Sequence, residues 1–239
     1  MKELRIVIPT KNEEEYLPKL LDSIKKQTYK DYVIVVADAN STDKTREIAK
    51  KYGCKIVKGG LPFFGRNNGV KGCKEKYFLF IDADVVLPHE HFLEKAMEEF
   101  KRKNLDLATF LQKPIVHKNP LKKIIYLIIH EIVNLFIISF QKTKFPLMQS
   151  LMLVKREVHL EVGGFPSYDF GEDAAFAKEA ARKGFKFGVI KSSGKFLLST
   201  RRYEKKGIFR MLCEYIYFNG ARFLGKEHPV GKVKKSYWE

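Results

Sequence analysis

The sequence contains few cysteines, and their spacing excludes a disulfide scaffold. There are three, Cys54, Cys73 and Cys213, which lie far apart and form no Cys-x-x-Cys pair. An odd number of scattered cysteines indicates neither a disulfide framework nor a zinc site built from thiolates. We therefore expect buried free thiols and a reducing compartment.

The sequence also lacks the features of a secretory leader, of repeats and of low-complexity linkers. Its first residues, MKELRIVIPT, run directly into a β-strand pattern without a basic segment, an apolar core and a cleavage site. We therefore expect a cytoplasmic protein. A chain of 239 residues without a linker suits one large α/β domain, which we assign to residues 1–206. Residues 207–239 are predicted to form a C-terminal amphipathic helix and a basic tail.

Acidic residues are scarce relative to basic ones. The chain has 45 Lys and Arg residues against 28 Asp and Glu residues, a formal net charge of +17. This excess attracts anionic partners, among them nucleic acid, acidic lipid and phosphorylated substrates, but does not choose between them. Four histidines, His89, His91, His117 and His228, show no spacing typical of metal ligands, so we expect no histidine-based zinc site.

Strand and helix signals alternate through the first half of the chain. Short, almost continuously apolar runs at LRIVIP and YVIVVAD are typical of strands that are covered on both faces. Between them, apolar residues recur at i, i+3, i+4 and i+7 from Leu17, which predicts a helix. Further strands are predicted at CKIV and YFLFID. The alternation predicts a mainly parallel sheet flanked by helices, with ligands at the carboxyl ends of the strands.

The second half contains the most apolar stretch of the chain, LKKIIYLIIHEIVNLFIISFQ, residues 121–141. As a helix, this stretch places His130 and Asn134 on one narrow line with two other polar residues. The adjacent His130 and Glu131 lie in mid-stretch and argue against a full membrane span. Two interpretations remain open: a helix of the core or of a dimer interface, and partial insertion into a membrane surface aided by nearby lysines.

Two carboxylates follow the strand YFLF, in the segment IDAD. Side chains alternate across a strand, so we expect Asp82 and Asp84 on one side, with Ala83 leaving room for a ligand. Paired carboxylates suit Mg²⁺ or Mn²⁺, which complete their shells with water and substrate phosphates. A cation and a diphosphate would explain these acids in a basic protein. The alternative is a pair of solvated turn acids before Pro88.

Other polar residues follow the remaining strands. Pro9, Lys11 and Glu13 lie in the loop after the first strand, where they can hold a nucleotide base. Asp38 ends the second strand, and it could instead cap the turn that follows. Arg66 is expected in a loop before the fourth strand, as a natural contact for phosphate or ribose.

Two further segments carry charged residues in the second half. GGFPSYDFGED places Glu172 and Asp173 at the mouth of a helix, where Asp173 could also serve as an N-cap. STRRYEKKG carries Arg201 and Arg202, which could instead be ordinary surface bases.

The segments VIPTKNE, AD-x-x-S-x-D-x-T, DAD, GGF and ED, in this order, resemble the family 2 glycosyltransferases with the GT-A fold, over about residues 4–190. The resemblance implies a GT-A, Rossmann-like α/β fold to which a hydrophobic helical insertion and a C-terminal helix are added. It implies that Asp84, with Asp82, holds the metal and that Asp173 is the catalytic base. Some relatives have a further polar metal contact where this chain has Val86, so we expect water and substrate to complete the metal shell. Nucleotide-sugar contacts are predicted for Pro9, Lys11, Glu13, Asp38, Arg66, Asp82, Ala83, Arg201 and Arg202.

The implied reaction is a direct displacement with inversion at the anomeric carbon of a UDP- or GDP-linked sugar. Asp173 takes the proton of an acceptor hydroxyl, and Mg²⁺ or Mn²⁺ neutralises the departing diphosphate. A polyprenyl phosphate acceptor would need no base, so the predicted base favours a hydroxyl. The apolar stretch favours a lipid or lipid-linked glycan, with peripheral contact at the cytoplasmic face of the membrane.

Two other function classes compete with this interpretation. A nucleotidyltransferase that makes sugar nucleotides would share the fold, but its Gly-rich, Arg-containing phosphate loop is missing where the first strand runs into PTKNEEE. A basic nucleic-acid-binding protein would explain the charge, but no stacking-aromatic module is evident. We therefore expect no nucleic-acid partner.

Overall fold

The computed structural model describes residues 2–115, 119–168 and 171–207. The predicted C-terminal amphipathic helix and basic tail beyond Gly207 lie outside these ranges, as do Cys213, His117 and His228. Cys54 and Cys73 are free thiols. Burial raises the pKa of the Cys54 thiol to about 11, so this cysteine is a protonated core residue.

The described residues form strands and helices close to those predicted. The strands are β1 (Leu4–Thr10), β2 (Tyr32–Asp38), β3 (Lys55–Lys58), β4 (Tyr77–Ile81), β5 (Val85–Val86), β6 (Leu107–Phe110), β7 (Gln112–Pro114), β8 (Leu151–Lys155), β9 (Phe187–Ile190) and β10 (Phe196–Leu198). The helices are α1 (Leu17–Lys25), α2 (Thr45–Lys51), α3 (Pro62–Gly69), α4 (Phe92–Arg102), α5 (Pro120–Phe140), α6 (Arg156–Val162), α7 (Glu172–Arg182) and α8 (Arg201–Lys206).

Within the described ranges, seven strands form one mostly parallel sheet, in the order β3-β2-β1-β4-β8-β6-β9. Strand β8 runs antiparallel to its neighbours β4 and β6, whereas the other pairs are parallel. The predicted mainly parallel sheet flanked by helices is therefore confirmed. Because β1, β2 and β4 are parallel neighbours, the residues that follow Thr10, Asp38 and Ile81 meet at one edge of the sheet.

Both faces of this sheet are covered, which explains its almost continuously apolar strands. On one face, Ile8 and Leu79 belong to the same core cluster as Leu20 of α1 and Phe92 of α4. On the other face, Phe80 and its neighbours pack with residues of α6 and α7. Loops at the carboxyl edge can therefore reach one site from either layer.

A second sheet, which the sequence patterns do not predict, positions the segment after β10. Strands β5, β10 and β7 form it in that order, and β5 is only two residues long. Leu198 pairs with Val85, and the Ser199 N–H donates to the Asp84 carbonyl oxygen at 3.1 Å. The segment that begins at Ser199 is therefore held against the turn that follows β4.

The Gly-Gly-Phe segment, residues 163–165, is hydrogen-bonded to α3. The Asn67 side chain donates to the Phe165 carbonyl oxygen and accepts from the Phe165 N–H, both at 2.9 Å. Gly164 has a φ of 81°, and a Cβ there would lie 2.7 Å from Asn67 Oδ1. Only glycine combines this backbone conformation with so close an approach.

Helix α5 presents polar residues to the protein and apolar residues to the outside. His130 and Asn134 are buried, and the Asn134 amide bonds both backbone groups of Gln112 at 2.8 and 2.9 Å. The helix is long and apolar enough to cross a membrane, and only 28% of its most apolar 18-residue segment is buried in the protein. This arrangement does not fit a core helix. We call the exposed residues on the opposite face the apolar stripe: Leu121, Ile124, Ile128, Ile132, Leu135 and Phe136.

Candidate active site

Polar contacts join the loop after β1 to the turn after β2. Lys11 Nζ donates to the carbonyl oxygens of Ala39 and Asn40 at 2.9 and 2.8 Å. Asp38 is buried at the end of β2 and accepts from the Ser41 N–H at 3.1 Å. Asp38 therefore caps its turn, and this role is compatible with a ligand contact through the remaining carboxylate lone pairs.

Asp82 to Val85 form a tight turn rather than a continuation of β4. The Val85 N–H donates to the Asp82 carbonyl oxygen at 3.2 Å, and β4 ends before Asp82. The strand alternation predicted for Asp82 and Asp84 is therefore wrong, because the chain turns here to enter β5. Ala83 is buried within the turn. Pro9 is buried inside β1, so its predicted position in the loop after that strand is wrong.

Arg66 lies in helix α3, so its predicted position in a loop is wrong. Its side chain is buried, and Pro62 at the helix start shows why the helix begins before the GRNNG segment. Arg66 Nη2 donates to Asp82 Oδ1 at 3.0 Å, and Nη1 donates to the Glu172 carboxylate. The guanidinium carbon lies 5.5 Å from the Phe165 ring centroid. One arginine therefore joins the first aspartate of the DAD segment to the start of α7.

Arg201 makes the equivalent link for the second aspartate. Its Nη1 and Nη2 donate to the two oxygens of Glu13 at 2.8 and 2.7 Å, and its Nε donates to Asp84 Oδ2 at 3.1 Å. The guanidinium also lies over the Tyr16 ring, 4.4 Å from its centroid. The structure therefore brings Glu13, Asp84 and Arg201 together, with both Glu13 oxygens engaged by the arginine.

Burial affects the pKa values of both acids that Arg201 contacts, Asp84 and Glu13. Burial raises the pKa of Asp84, while the guanidinium groups of Arg202 and Arg201 oppose that rise. Burial also raises the pKa of Glu13, and its hydrogen bonds from Arg201 oppose it. Negative charge in this site thus depends on cations held close to it.

Asp173 lies in the first turn of α7, half-buried beside Glu172. Gly171, with a φ of 76°, is the N-cap residue, so the alternative that Asp173 caps the helix is wrong. The Asp173 carboxylate accepts from the N–H of Ala174 at 2.7 Å. Through Glu172 and Arg66, this helix start is connected to Asp82.

The Asp84 carboxylate fits a divalent cation by one observation. Asp84 Oδ1 is buried and has no hydrogen-bond partner among the described residues, although carboxylate oxygens are strong acceptors. Within those residues no cluster of three or more His, Cys, Asp or Glu side chains could hold a metal by itself. Asp84 with Asp82 would therefore need oxygen atoms of water or substrate to complete an Mg²⁺ or Mn²⁺ shell.

A cleft of about 490 Å³ opens beside Asp84. Tyr16 and Lys19 of the α1 region line one wall, and Thr200 and Glu204 line another. Its size is in the range of small-ligand sites.

Sequence reasoning misses two members of the site. Glu172 is predicted only to lie at a helix start, and Tyr16 is assigned no role. The partner of each is an arginine far away in sequence, so neither pairing leaves a local pattern. The only available signal for Glu172 is its place directly before Asp173.

The family model described as Glycosyl transferase family 2 matches residues 5–159 of this chain. Among individual proteins, the 4,4'-diaponeurosporenoate glycosyltransferase of Staphylococcus haemolyticus (strain JCSC1435) is 34% identical over 108 residues. The match covers 41% of this chain and 28% of that protein, so the chain spans less than a third of this relative.

Solved structures similar to this one include two with a bound nucleotide sugar. S. aureus TarS 1-349 in complex with UDP-GlcNAc has a TM-score of 0.64 at 20% identity, over 84% of this chain and 59% of that one. Mannosyltransferase PcManGT from Pyrobaculum calidifontis, in complex with GDP-Man and Mn²⁺, has a TM-score of 0.67 at 19% identity, over 90% and 64%. At such identities the likeness concerns the fold, which is GT-A. Because the family model covers more than half of the sequence, this chain belongs to the family 2 glycosyltransferases.

Proposed function

We propose that this protein is an inverting glycosyltransferase, which moves a sugar from a nucleoside-diphosphate sugar to an acceptor hydroxyl. The observation that carries the proposal is the pair of arginine-linked aspartates, Asp82 and Asp84, at the carboxyl edge of the sheet. Asp173 lies in the first turn of α7, which is connected to the same edge through Glu172 and Arg66. Membership of the family favours sugar transfer over the nucleotidyltransferase alternative.

The donor we propose is a UDP- or GDP-linked sugar. The TarS structure contains UDP-GlcNAc and the PcManGT structure contains GDP-Man, which supports this class of donor. We assign the nucleoside to Pro9, Lys11, Glu13 and Asp38. We assign the diphosphate to Arg66, Asp82, Ala83, Arg201 and Arg202.

Asp173 is the proposed general base. The acceptor oxygen forms its bond to the anomeric carbon as the bond to the diphosphate breaks on the opposite side, and an Asp173 carboxylate oxygen takes the hydroxyl proton. Inversion follows from this single displacement. The leaving group needs no proton donor, because the diphosphate leaves as an anion that positive charge stabilises.

Arginines stabilise the leaving group in this scheme. Arg66 and Arg201 already lie beside Asp82 and Asp84, and planar guanidinium groups bind phosphate oxygens with two hydrogen bonds. When bound at Asp84, with Asp82 beside it, Mg²⁺ or Mn²⁺ supplies further neutralisation of the diphosphate charge. The Mn²⁺ in the PcManGT structure supports this choice of ion.

A panel of nucleotide sugars tests the proposal. We expect one UDP- or GDP-sugar to raise the melting temperature and to be turned over in the presence of Mn²⁺ or Mg²⁺. Asp173→Asn is expected to bind nucleotide nearly as well while turnover falls by about 10²–10⁴-fold, because the change removes only the proton acceptor. Glu179→Gln, later in α7, is the control. Unchanged turnover in the Asp173 variant would remove that residue from its role.

We further propose that α5 docks on an acidic membrane surface, which favours a lipid or lipid-linked glycan as the acceptor. The apolar stripe occupies one side of the helix, and exposed Lys122, Lys123, Lys142 and Lys144 flank it at both ends. An apolar face bordered by lysines is typical of helices that lie at the surface of acidic bilayers. The ring of Tyr126 in α5 stacks on the ring of Tyr203 in α8, with their centroids 5.2 Å apart. Because α8 begins at Arg201, this contact joins α5 to the proposed active site, which supports an acceptor at the membrane.

Vesicle flotation tests the docking. We expect the protein to float with vesicles containing acidic phospholipid, and the double variant Ile128→Glu, Ile132→Glu to stay unbound. Leu160→Glu, which changes an apolar residue that is 65% exposed outside α5, is the matched control and should float. An intact protein that never floats, but dimerises through the apolar stripe in light scattering, would contradict the proposal.

Nucleic acid is the remaining rival ligand. A gel shift with random DNA is compared with binding of UDP and GDP in the presence of Mn²⁺. Tight DNA binding with no binding of either nucleotide would contradict the glycosyltransferase proposal.

A further inference from the structure

We infer that Glu172 is a positioning residue for the proposed reaction, which holds Arg66 against Asp82 and thereby sets the place of Asp173 relative to the diphosphate. The inference rests on the proposed function. Its carboxylate contacts Arg66 and none of the atoms proposed to react, so its effect on the reaction is indirect.

The geometry links two parts of the chain through one rigid group. Arg66 is 2% exposed and Glu172 is 3% exposed. Nη1 of Arg66 donates to the Glu172 carboxylate, while Nη2 donates to Asp82 Oδ1 at 3.0 Å. Because the guanidinium is planar, the direction of one hydrogen bond constrains the other. The first turn of α7 is thus oriented relative to the turn that carries Asp82.

Neighbouring contacts leave Arg66 little freedom to move. The Phe165 ring lies 5.5 Å from the guanidinium carbon, and Asn67, the next residue of α3, bonds both backbone groups of Phe165. His159 Nε2 lies 3.2 Å from Asn67 Oδ1, the oxygen that accepts from the Phe165 N–H. Residues of α3, α6 and the Gly-Gly-Phe segment thereby support the link.

The charges explain why a carboxylate is needed at position 172. Arg66 faces two acids, so the group of three carries one negative charge when all are ionised. Burial raises the pKa of Glu172, and Arg66 opposes that rise. An approaching diphosphate competes with both acids for Arg66. Glu172 therefore keeps the guanidinium from following the phosphate, and removing its charge should strengthen diphosphate binding while loosening α7.

Loss of the Glu172 charge is expected to affect turnover and nucleotide binding in different directions. In Glu172→Gln we expect kcat to fall by about 10–100-fold, since displacement of a catalytic group by about 1 Å has an effect of that size. Binding of UDP or GDP should be unchanged or tighter. Glu172→Asp, which keeps the charge on a shorter side chain, should recover part of kcat.

The experiment measures kcat, the KM of the donor, nucleoside-diphosphate affinity by calorimetry, and melting temperature for wild type, Glu172→Gln and Glu172→Asp. Glu179→Gln is the matched control, because Glu179 forms an exposed pair with Arg182 on the same helix. All assays run below the lowest melting temperature of the set.

Each outcome bears on the inference. Wild-type kcat in Glu172→Gln would overturn it and leave the proposed function standing. Losses of kcat, nucleotide affinity and melting temperature together, without recovery in Glu172→Asp, would show a merely structural residue and also overturn it. A wild type that neither binds nor turns over any nucleotide sugar would overturn the proposed function, and the inference with it.

Discussion

Among single residues, Asp84 is a buried acid whose ionised form is unfavourable for the folded state. It is 3% exposed, and burial raises its pKa above the ordinary value. An acid with a raised pKa in the folded state destabilises the fold progressively as the pH rises through its ordinary pKa to the raised one. Above that range the penalty is complete, unless a cation offsets it.

Asp84→Asn is therefore expected to raise the melting temperature at pH 7 by about 2–4 °C, corresponding to about 1 kcal/mol, while abolishing donor turnover. The neutral amide is less unfavourable to bury than the carboxylate. Thermal unfolding without nucleotide or metal measures the change. Asp82→Asn is the control, with a smaller gain expected because Asp82 is more exposed. A lower melting temperature for Asp84→Asn would contradict this account.

Gly164 is a residue whose lack of a side chain stabilises the fold, because a Cβ there would lie too close to Asn67. Gly164→Ala is expected to lower the free energy of unfolding by about 1–3 kcal/mol more than Gly163→Ala. Both positions have positive φ, but a Cβ at Gly163 meets nothing within 4 Å, whereas one at Gly164 meets Asn67. Urea unfolding gives both values. Equal losses would mean that Asn67 moves aside freely.

At the scale of elements, α6 places a neutral histidine among aromatic rings. His159 lies 5.7 to 6.0 Å from the rings of Phe78, Phe80, Phe165 and Phe176. Burial lowers the pKa of His159 to about 4. Its contribution to stability is complete above the ordinary pKa of about 6.5 and is lost as the pH falls from there towards 4.

His159→Phe is expected to make the free energy of unfolding less dependent on pH between about 6.5 and 4, by up to about 3 kcal/mol over that range. Urea unfolding at several pH values provides the measurement. His91→Gln, an exposed change that keeps the buried histidines, is the control. The same pH dependence in the variant and the wild type would show that His159 does not titrate as expected.

Most elements could be predicted because their signals are local. The leucine spacing of α1 and the apolar runs of β1 and β2 depend only on which side of the element is covered. Strands β5 and β7 have no such signal, since at two and three residues their pairing with β10 defines them. The orientation of α5 was equally hidden, because its polar line could face either way.

For the molecule as a whole, the net charge of +17 predicts that the proposed membrane association depends on salt. We expect flotation with acidic vesicles to weaken between about 0.05 and 0.5 M NaCl, because the Debye length falls to a few ångströms. Part should persist, since the apolar stripe contributes independently of ionic strength. Flotation measured across this range, with neutral vesicles as control, tests the expectation. Equal binding to neutral vesicles at every salt concentration would assign docking to the apolar stripe alone.

The alternating α/β order, the acids at the carboxyl ends of the strands and the family resemblance all follow from the sequence alone, because each rests on neighbouring residues. Which charged side chains pair with one another depends instead on how the chain folds. Arg66 and Glu172 are 106 residues apart, and Arg201 and Glu13 are 188 apart. Ion pairs over such separations form because the fold closes the chain at one edge of the sheet, and no local periodicity encodes them.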